Sequence, residues 1–169
     1  GKEVRAVTNR IIDTSKNGWY LDLAWKEENG GSGRKGERVV SRAIVRDNRI
    51  IFSTLIPSTD PCAYGGTSFI MELDMYQGGR LGYTVFDVKE DNTFNDQDKV
   101  LVNGVPVPVS GLDLGIGIVK TPAVIDLPPP HSPDAPTEMK AASGTSGSIG
   151  KVFEAGSEGL GRQSWEQLR

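Results

Sequence analysis

Histidine and cysteine are almost absent from this sequence. Its 169 residues contain one histidine, His131, and one cysteine, Cys62. A single cysteine excludes a disulfide within these residues and any metal site built from several thiolates. We expect Cys62 to be either a buried apolar thiol or the partner of a cysteine outside the chain. His131 lies in the proline-rich stretch "PPPHSPDAP", a poor position for a general base, so the sequence offers no catalytic histidine.

Long apolar runs and clusters of basic residues are also missing. No run approaches the ~20 apolar residues of a membrane-spanning helix, and the N-terminus "GKEVRAVTNR" lacks the apolar core of a signal peptide. The net charge is only -3, which gives no electrostatic reason to expect nucleic acid. No G-x-S-x-G or Walker pattern is present, and we expect no enzymatic activity. Because the chain begins with glycine instead of methionine, we expect it to be part of a longer polypeptide.

Glycine, proline and short β-branched runs dominate what is present. The 21 glycines and 10 prolines favour a chain rich in turns and poor in long helices. In "RVVSRAIVRDNRIIFSTLIP", the turn-forming Asp47 and Asn48 separate two β-branched runs, which predicts a hairpin. "TSFIMELDMYQGGRL" predicts the next strand, ended by Gly78-Gly79, with Asp74 capping the turn. "NGWYLDLAW", residues 17–25, predicts a short strand with aromatic anchors.

The second half of the sequence predicts further strands. "KVLVNGVPVPV", "LGIGIVKTPAVIDL", "EMKAASGTSGSIGKVF" and "GRQSWEQLR" each favour one strand or a hairpin. Residues 127–137, "LPPPHSPDAPT", predict a proline-rich surface loop. Three or four consecutive antiparallel strands have the size of a β-propeller blade, and the second half supplies a further blade or part of one. The sequence therefore predicts an all-β fold, a partial β-propeller of about two blades.

An acidic stretch between these halves has nearly the spacing of a twelve-residue calcium loop. It is "DVKEDNTFNDQD", Asp87–Asp98. Calcium prefers oxygen ligands, which such loops supply from positions 1, 3, 5, 7, 9 and 12. Asn92 stands at position 6, where a positive φ is required and asparagine is tolerated. The candidate metal ligands are Asp87, Asp91, Thr93, Asn95 and Asp98.

Lys89 departs from the calcium-loop pattern because it occupies position 3 and cannot be a ligand. In one interpretation its side chain turns to solvent, water takes the ligand place and calcium binds weakly. In another, its ammonium pairs with the carboxylates and the loop works without metal. A plain solvated acidic turn is the third alternative. Calcium is therefore a candidate cofactor weakened by Lys89.

Several stretches together resemble one family. "GERVVSRAIVRDNRIIFSTLIPSTDPCAYGGTSFIMELDMYQGGRL", Gly36 to Leu81, looks like the C-terminal propeller of the PilY/PilC family of type IV pilus proteins. "TLIPSTDPCAYGG", Thr54 to Gly66, is its most specific part, and "GIGIVKTPAVI" and "GRQSWEQLR" are similar too. The resemblance covers most of the chain from Trp19 onward.

The resemblance implies that residues 1–169 are the C-terminal segment of a PilY-type propeller. It implies a non-enzymatic protein at the cell surface, on the outer membrane or the fimbrium, that supports pilus assembly, adhesion and twitching motility. The implied partners are minor pilins, the pilus machinery and a host or abiotic surface. Some members bind calcium in an EF-hand-like loop, and the acidic stretch here looks closer to the dockerin type. The alternatives are a quinoprotein-type propeller dehydrogenase, whose repeats resemble "FIMELDMYQGGRL", and an all-β surface-binding domain.

Overall fold

The computed structural model describes residues 2–10, 12–13, 15–26, 31–60, 62–128 and 136–156. Within these ranges the chain folds into short antiparallel strands and one 3-10 turn, Asp96–Asp98, which confirms the all-β prediction. The strands are β1 (Val4–Arg5), β2 (Trp25–Lys26), β3 (Ser32–Gly33), β4 (Arg38–Val39), β5 (Ile44–Arg46), β6 (Arg49–Pro57), β7 (Gly66–Thr67), β8 (Phe69–Asp74), β9 (Lys99–Val102), β10 (Val105–Pro108), β11 (Gly111–Asp113), β12 (Ala123–Asp126), β13 (Glu138–Ser143) and β14 (Ile149–Glu154).

The largest sheet is organised around β6. Its strand order is β1-β11-β8-β6-β4, and β5 and β7 also pair with β6. Asp47 and Asn48 have φ of 49° and 61°, the left-handed values that a two-residue hairpin turn requires, and Arg46 pairs with Arg49 across it. The predicted hairpin is therefore confirmed. We call this sheet the main sheet.

The turn after β8 is held by the aspartate that the sequence predicted. Asp74 Oδ1 accepts hydrogen bonds from the backbone N–H groups of Tyr76 (2.8 Å) and Gln77 (2.7 Å). Gly78 has φ +63°, and a Cβ there would lie 2.2 Å from the ring of Trp19. The indole Nε1 of Trp19 donates to the Met75 carbonyl at 3.0 Å. The turn is thus closed by local hydrogen bonds and covered by an aromatic ring.

The predicted strand over residues 17–25 is wrong. Residues 18–24 have no strand structure, and pairing begins only with β2, opposite β3. Trp19 and Leu21 pack instead against an apolar cluster of the main sheet that contains Phe52 and Leu73. The aromatic pattern therefore marks residues that anchor an irregular segment.

The described residues between β6 and β7, 58–60 and 62–65, form a loop. Cys62 lies exposed in it, and its N–H donates to Asp60 Oδ1 at 2.8 Å. The interpretation of Cys62 as a buried thiol is therefore wrong, and its pairing outside the chain stays a prediction.

Gly66 ends this loop where β7 meets β6. Its φ is +145°, and a Cβ there would lie 2.0 Å from the Ile56 carbonyl oxygen. We expect Gly66→Ala to lower the free energy of unfolding by about 1–3 kcal/mol, because both the backbone angle and the close approach forbid a side chain. Gly82→Ala is the control, since nothing lies within 4 Å of its Cβ position. Equal midpoints in chemical denaturation for the two variants would contradict this expectation.

A second sheet has the strand order β12-β13-β14. β13 and β14 form a hairpin, one of the two alternatives predicted for "EMKAASGTSGSIGKVF", with Lys140 opposite Val152. The stretch "LGIGIVKTPAVIDL", predicted as one strand or a hairpin, is a strand only in its second half: its first half bends at Gly115 and Gly117, which have positive φ of 69° and 83°. Extended structure resumes only at β12. The ending "GRQSWEQLR" lies outside the described residues, as does most of the proline-rich stretch, including His131.

A separate hairpin of β9 and β10 follows the acidic stretch. It is the second of the two alternatives predicted for "KVLVNGVPVPV", one strand or a hairpin, and its turn is Asn103-Gly104, with φ of 51° and 77°. Leu101 and Val105 are more than half exposed on it. Pro106 and Pro108 stand opposite Leu101 and Lys99, so both prolines occupy the same edge of β10.

Two apolar clusters pack the second sheet against the main sheet. One joins Leu112 of β11 to Val152 of β14 and includes Phe86, which is fully buried. The other joins Ile51 and Ile70 to Ala142 of β13. The structure thus contains two packed antiparallel sheets of different size, while closure into a propeller stays a prediction. In the part of the chain described, no helix is long and apolar enough to cross a membrane.

Charged side chains also meet between the two sheets, in what we call the buried ionic cluster. Each member has a relative exposure of 3% or less; they are Arg49, Glu72, Glu138, Lys140 and Glu154. Arg49 bonds Glu72 of the main sheet at 2.9 Å and Glu138 of the second sheet at 2.7 Å. The Lys140 ammonium contacts the carboxylates of Glu72 and Glu154. The cluster therefore ties β6 and β8 to β13 and β14 by charge.

The buried ionic cluster predicts a loss of stability in acid. Burial disfavours the ionised form of Glu138, yet hydrogen bonds from Arg46 and Arg49 outweigh burial and hold the pKa of this carboxyl below its ordinary value. Because the native pKa is the lower one, the stabilisation is complete above the unfolded-state pKa of about 4.3 and is lost as pH falls through the native value. Between about pH 7 and pH 3, the free energy of unfolding measured in urea should decline less for Glu138→Gln than for the parent protein. Identical declines would contradict this assignment.

Candidate functional site

The acidic loop, residues 87–98, is anchored at both ends. It follows Val85 and Phe86, which are fully buried. The Ala155 N–H donates to the Val85 carbonyl at 3.0 Å, and the Asp87 N–H donates to the Phe153 carbonyl at 3.2 Å. The loop ends in the 3-10 turn that leads directly into β9. Its first residues therefore extend the edge of β14, and its last residues enter the separate hairpin.

Asp87 organises the middle of the acidic loop. Its side chain is 2% exposed, and its two carboxylate oxygens accept hydrogen bonds from the N–H groups of Asp91 (3.1 Å) and Asn92 (2.8 Å). Asn92 has φ +61°, the left-handed conformation expected at position 6. Glu90 has φ +60° as well. Folding the loop around a buried carboxylate thus requires two non-glycine residues in a conformation that L-residues rarely adopt.

Asp98 holds the beginning of the loop from the other end. Its carboxylate is 1% exposed and accepts hydrogen bonds from the N–H groups of Val88 (2.8 Å) and Lys89 (3.1 Å). Its second oxygen accepts from the Asn95 N–H at 3.2 Å, which closes a capping box over the 3-10 turn. Asp87 and Asp98 together satisfy five backbone donors of the loop, so these two carboxylates hold the loop backbone in shape.

The other three predicted ligands lie on the surface, apart from the two buried carboxylates. Asp91 Oδ1 accepts from the N–H of Thr93 at 2.9 Å and also from its hydroxyl. The Thr93 hydroxyl oxygen in turn accepts from Asn95 Nδ2 at 3.0 Å. The hydrogen bonds from Thr93 hold the pKa of Asp91 below its ordinary value. The structure thus brings the predicted residues into one loop, but their side chains are used differently: Asp87 and Asp98 accept from backbone N–H groups, whereas Asp91 accepts from Thr93.

Lys89 is exposed, and within the described residues its ammonium forms no ion pair with any carboxylate. Two other lysines pair with the loop instead. Lys2 contacts Glu90 and holds the pKa of that carboxyl below its ordinary value, and Lys99 bonds Asp96 at 2.7 Å. The structure therefore does not have the arrangement in which the Lys89 ammonium pairs with the loop carboxylates. The charges of both buried carboxylates remain without a cationic partner among the described side chains.

These residues fit a calcium ion only in part. Asp87 and Asp98 are buried carboxylates without a counter-charge, which are favourable donors for a hard cation. Among the described residues, however, no three acidic, histidine or cysteine side chains gather closely enough to hold a metal. Asp91 would have to leave Thr93 and turn inward. A cavity of about 220 Å³ lies beside the loop and the end of β14, but of the predicted ligands only Asp87 lines it, and the lysines Lys2 and Lys151 line it as well.

The buried ionic cluster is the feature that the sequence did not predict. Glu72 interrupts the apolar run of β8, which is the available signal. Lys140 gives no signal, because it continues the polar–apolar alternation of Glu138-Met139-Lys140-Ala141, in which the polar residues are expected to face solvent. The two residues are 68 positions apart, and only the fold shows that they meet.

Comparison with known proteins identifies relatives of this chain, although no family model matches it. It is 30% identical over 166 residues to the "Type IV pilus biogenesis factor PilY1 homolog" of Xylella fastidiosa, covering 94% of this chain and 12% of that protein. It is 34% identical over 105 residues to the "Type IV pilus biogenesis factor PilY1" of Pseudomonas aeruginosa, covering 62% of this chain and 9% of that protein.

A solved structure is similar as well. It is the crystal structure of the Pseudomonas aeruginosa PilY1 C-terminal domain, with 20% sequence identity and a TM-score of 0.49. The match covers 72% of this chain and 21% of the crystallised one. The chain thus spans only about a tenth of the length of the curated relatives, 9% and 12% in the two cases above. The sequence matches show that the chain belongs to the PilY1 family of type IV pilus biogenesis factors.

Proposed function

We propose that this chain acts in type IV pilus biogenesis as a non-enzymatic component of the cell surface. The observation that carries the proposal is the match along 94% of the chain to a relative named for that process. The chain is about an eighth of that relative, so the role belongs to the longer protein of which these sheets would form a part. The relatives reported above are named as biogenesis factors, which favours this role over the dehydrogenase alternative.

In this proposal the two sheets are blades of a C-terminal β-propeller. A rigid propeller would present its loops on a rim that contacts minor pilins and the pilus machinery, and on which adhesion to a host or abiotic surface would depend. The acidic loop fits such a rim, because both its ends are fixed and its middle is exposed. Pilus assembly, twitching motility and surface attachment are the activities that this arrangement would support.

Deletion of the gene that encodes this chain tests the pilus role. We expect fewer surface pili by electron microscopy and smaller twitching zones, both restored by the intact gene. A complementing gene with Gly82→Ala, a change at an open position, should restore them equally. Normal piliation and normal twitching in the deletion strain would refute the proposal.

We also propose that the acidic loop binds calcium weakly. The residues that would hold the ion are Asp87, Asp91, the Thr93 carbonyl, Asn95 and Asp98. A bound calcium would supply positive charge that draws the exposed and the buried parts of the loop together. Because Asp91 must first give up its hydrogen bonds from Thr93, we expect a dissociation constant in the weak extracellular range, about 10⁻⁴–10⁻³ M.

Calorimetric titration with calcium tests the metal. Asp87→Asn keeps the shape of the side chain and removes its charge, so it should abolish the binding heat. Asp126→Asn is the matched control, because Asp126 is an exposed carboxylate outside the acidic loop. The absence of both heat and a thermal shift up to about 10 mM calcium would refute this part of the proposal without affecting the pilus role.

A further inference from the structure

The acidic loop and the buried ionic cluster share one strand, β14. The Asp87 N–H donates to the Phe153 carbonyl, and Phe86 forms a β-bridge with Glu154. Glu154 is fully buried; its carboxylate contacts the Lys140 ammonium and lies 3.9 Å from Arg49 Nη1. The last residues of β14 therefore hold the start of the loop by their backbone and the cluster by a side chain.

The start of the loop cannot shift without moving this strand. The backbone of Val85 to Asp87 is bonded to β14 on both sides of the bridge, at Phe153 and Ala155. Phe86, between these bonds, is packed with Val152 in the apolar core. Because packed interiors respond to displacement by moving together, a change at Asp87 reaches Glu154 through rigid contacts.

The buried ionic cluster is able to respond because its hydrogen bonds are incomplete. Arg49 Nε and Glu154 Oε1 are buried and have no hydrogen-bond partner within the described residues. Glu72 Oε1 is also buried, but it forms an ion pair with the Lys140 ammonium. An unpaired buried donor and acceptor are unfavourable, so a shift of β14 that altered the surroundings of these two atoms would change the free energy of the cluster.

We propose that the acidic loop and the buried ionic cluster are energetically coupled through β14. A change at Asp87 alters how firmly the second sheet is held to the main sheet, and a change at Glu154 alters the acidic loop by the same free energy, because coupling is reciprocal. The coupling goes beyond the proposed function and needs no metal. If calcium binds, the same contacts would let occupancy of the loop bias the contact between the sheets.

Hydrogen exchange in the intact protein, without calcium, tests the coupling from the loop side. In Asp87→Asn, the amides of β13 and β14 should exchange about threefold faster or more, while those of β6 and β8 keep their rates. Asp91→Asn is the matched control, because Asp91 belongs to the same loop but bonds only Thr93 through its side chain. It should leave β13 and β14 unchanged. Equal acceleration by both variants, or none by Asp87→Asn, would overturn the proposal.

The same measurement from the cluster side distinguishes coupling from a general loss of stability. Glu154→Gln should accelerate exchange of the Asn92 and Lys89 amides, which Asp87 and Asp98 hold. In the double variant Asp87→Asn/Glu154→Gln, the exchange rates of the β14 amides should rise by some factor relative to the parent protein. That factor should differ about threefold or more from the product of the factors measured in the two single variants. Independent effects that multiply would overturn the proposal. If Glu154→Gln does not fold, the comparison of Asp87→Asn with Asp91→Asn decides alone.

Discussion

Replacing Lys140 by methionine is expected to lower the free energy of unfolding by about 3–5 kcal/mol. Lys140 is fully buried, and its ammonium contacts the carboxylates of Glu72 and Glu154, which otherwise have only Arg49 as a cationic neighbour among the described residues. Methionine fills most of the volume but leaves the three carboxylates of the buried ionic cluster with Arg49 as the cluster's only remaining cation. Removing one partner of a buried ion pair is far more damaging than removing both, because the remaining charge keeps its full desolvation penalty.

Chemical denaturation of three variants tests this expectation. Lys151→Met makes the same chemical change at an exposed lysine on β14 and should alter stability by about 0.5 kcal/mol or less. Lys140→Met/Glu72→Gln removes one charge of each sign and should recover part of the loss. If Lys140→Met costs no more than Lys151→Met, the buried ionic cluster does not hold the sheets together. If the double variant is the least stable of the three, charge imbalance is not the cause.

Replacing Lys89 by aspartate is expected to strengthen calcium binding about tenfold or more, provided that the acidic loop binds calcium as proposed. The substitution supplies a carboxylate at position 3 of the loop and removes a cation next to the others. Since Lys89 is exposed and the Asp98 carboxylate holds its backbone N–H, the new carboxylate would require no change in the loop backbone. Charge count is a main determinant of affinity in such loops.

Calorimetric titration compares this variant with Lys120→Asp, which makes the same change in net charge at an exposed lysine outside the loop. Lys89→Ala separates the two contributions, because it removes the cation without adding a ligand, and its effect should be intermediate. An equal gain in Lys89→Asp and Lys120→Asp would show that only the overall field of the protein had changed. An unchanged affinity in Lys89→Asp would show that position 3 does not face the ion.

Features set by neighbours along the chain were predictable from the sequence. Both two-residue turns could be predicted, because few residue pairs tolerate two consecutive positive φ angles; they are Asp47-Asn48 and Asn103-Gly104. The turn cap at Asp74 could be predicted as well. In contrast, the aromatic residues around Trp19 have a strand-like pattern yet pack as anchors, since the same apolar side chains serve either purpose.

Features set by distant contacts were not predictable. In the acidic loop, spacing indicated which residues would share the loop, but not that Asp87 and Asp98 would turn inward while Asp91 turned to Thr93. That choice depends on burial against β14 and on competing hydrogen bonds within a few residues, which spacing does not encode. The partners of the buried ionic cluster come from both sheets, and only the packing of those sheets brings them together.

The prolines of β10 determine how its exposed hairpin meets other polypeptides. In a hairpin with a two-residue turn, every second residue of a strand directs its backbone groups away from the partner strand, starting with the second residue from the turn. In β10 these residues are Pro106 and Pro108. That edge therefore offers carbonyl oxygens but no N–H donors at these two positions, and a further strand cannot extend the ladder there. On its β10 side, the hairpin can therefore keep Val105 exposed for side-chain contacts without being a template for edge-to-edge aggregation.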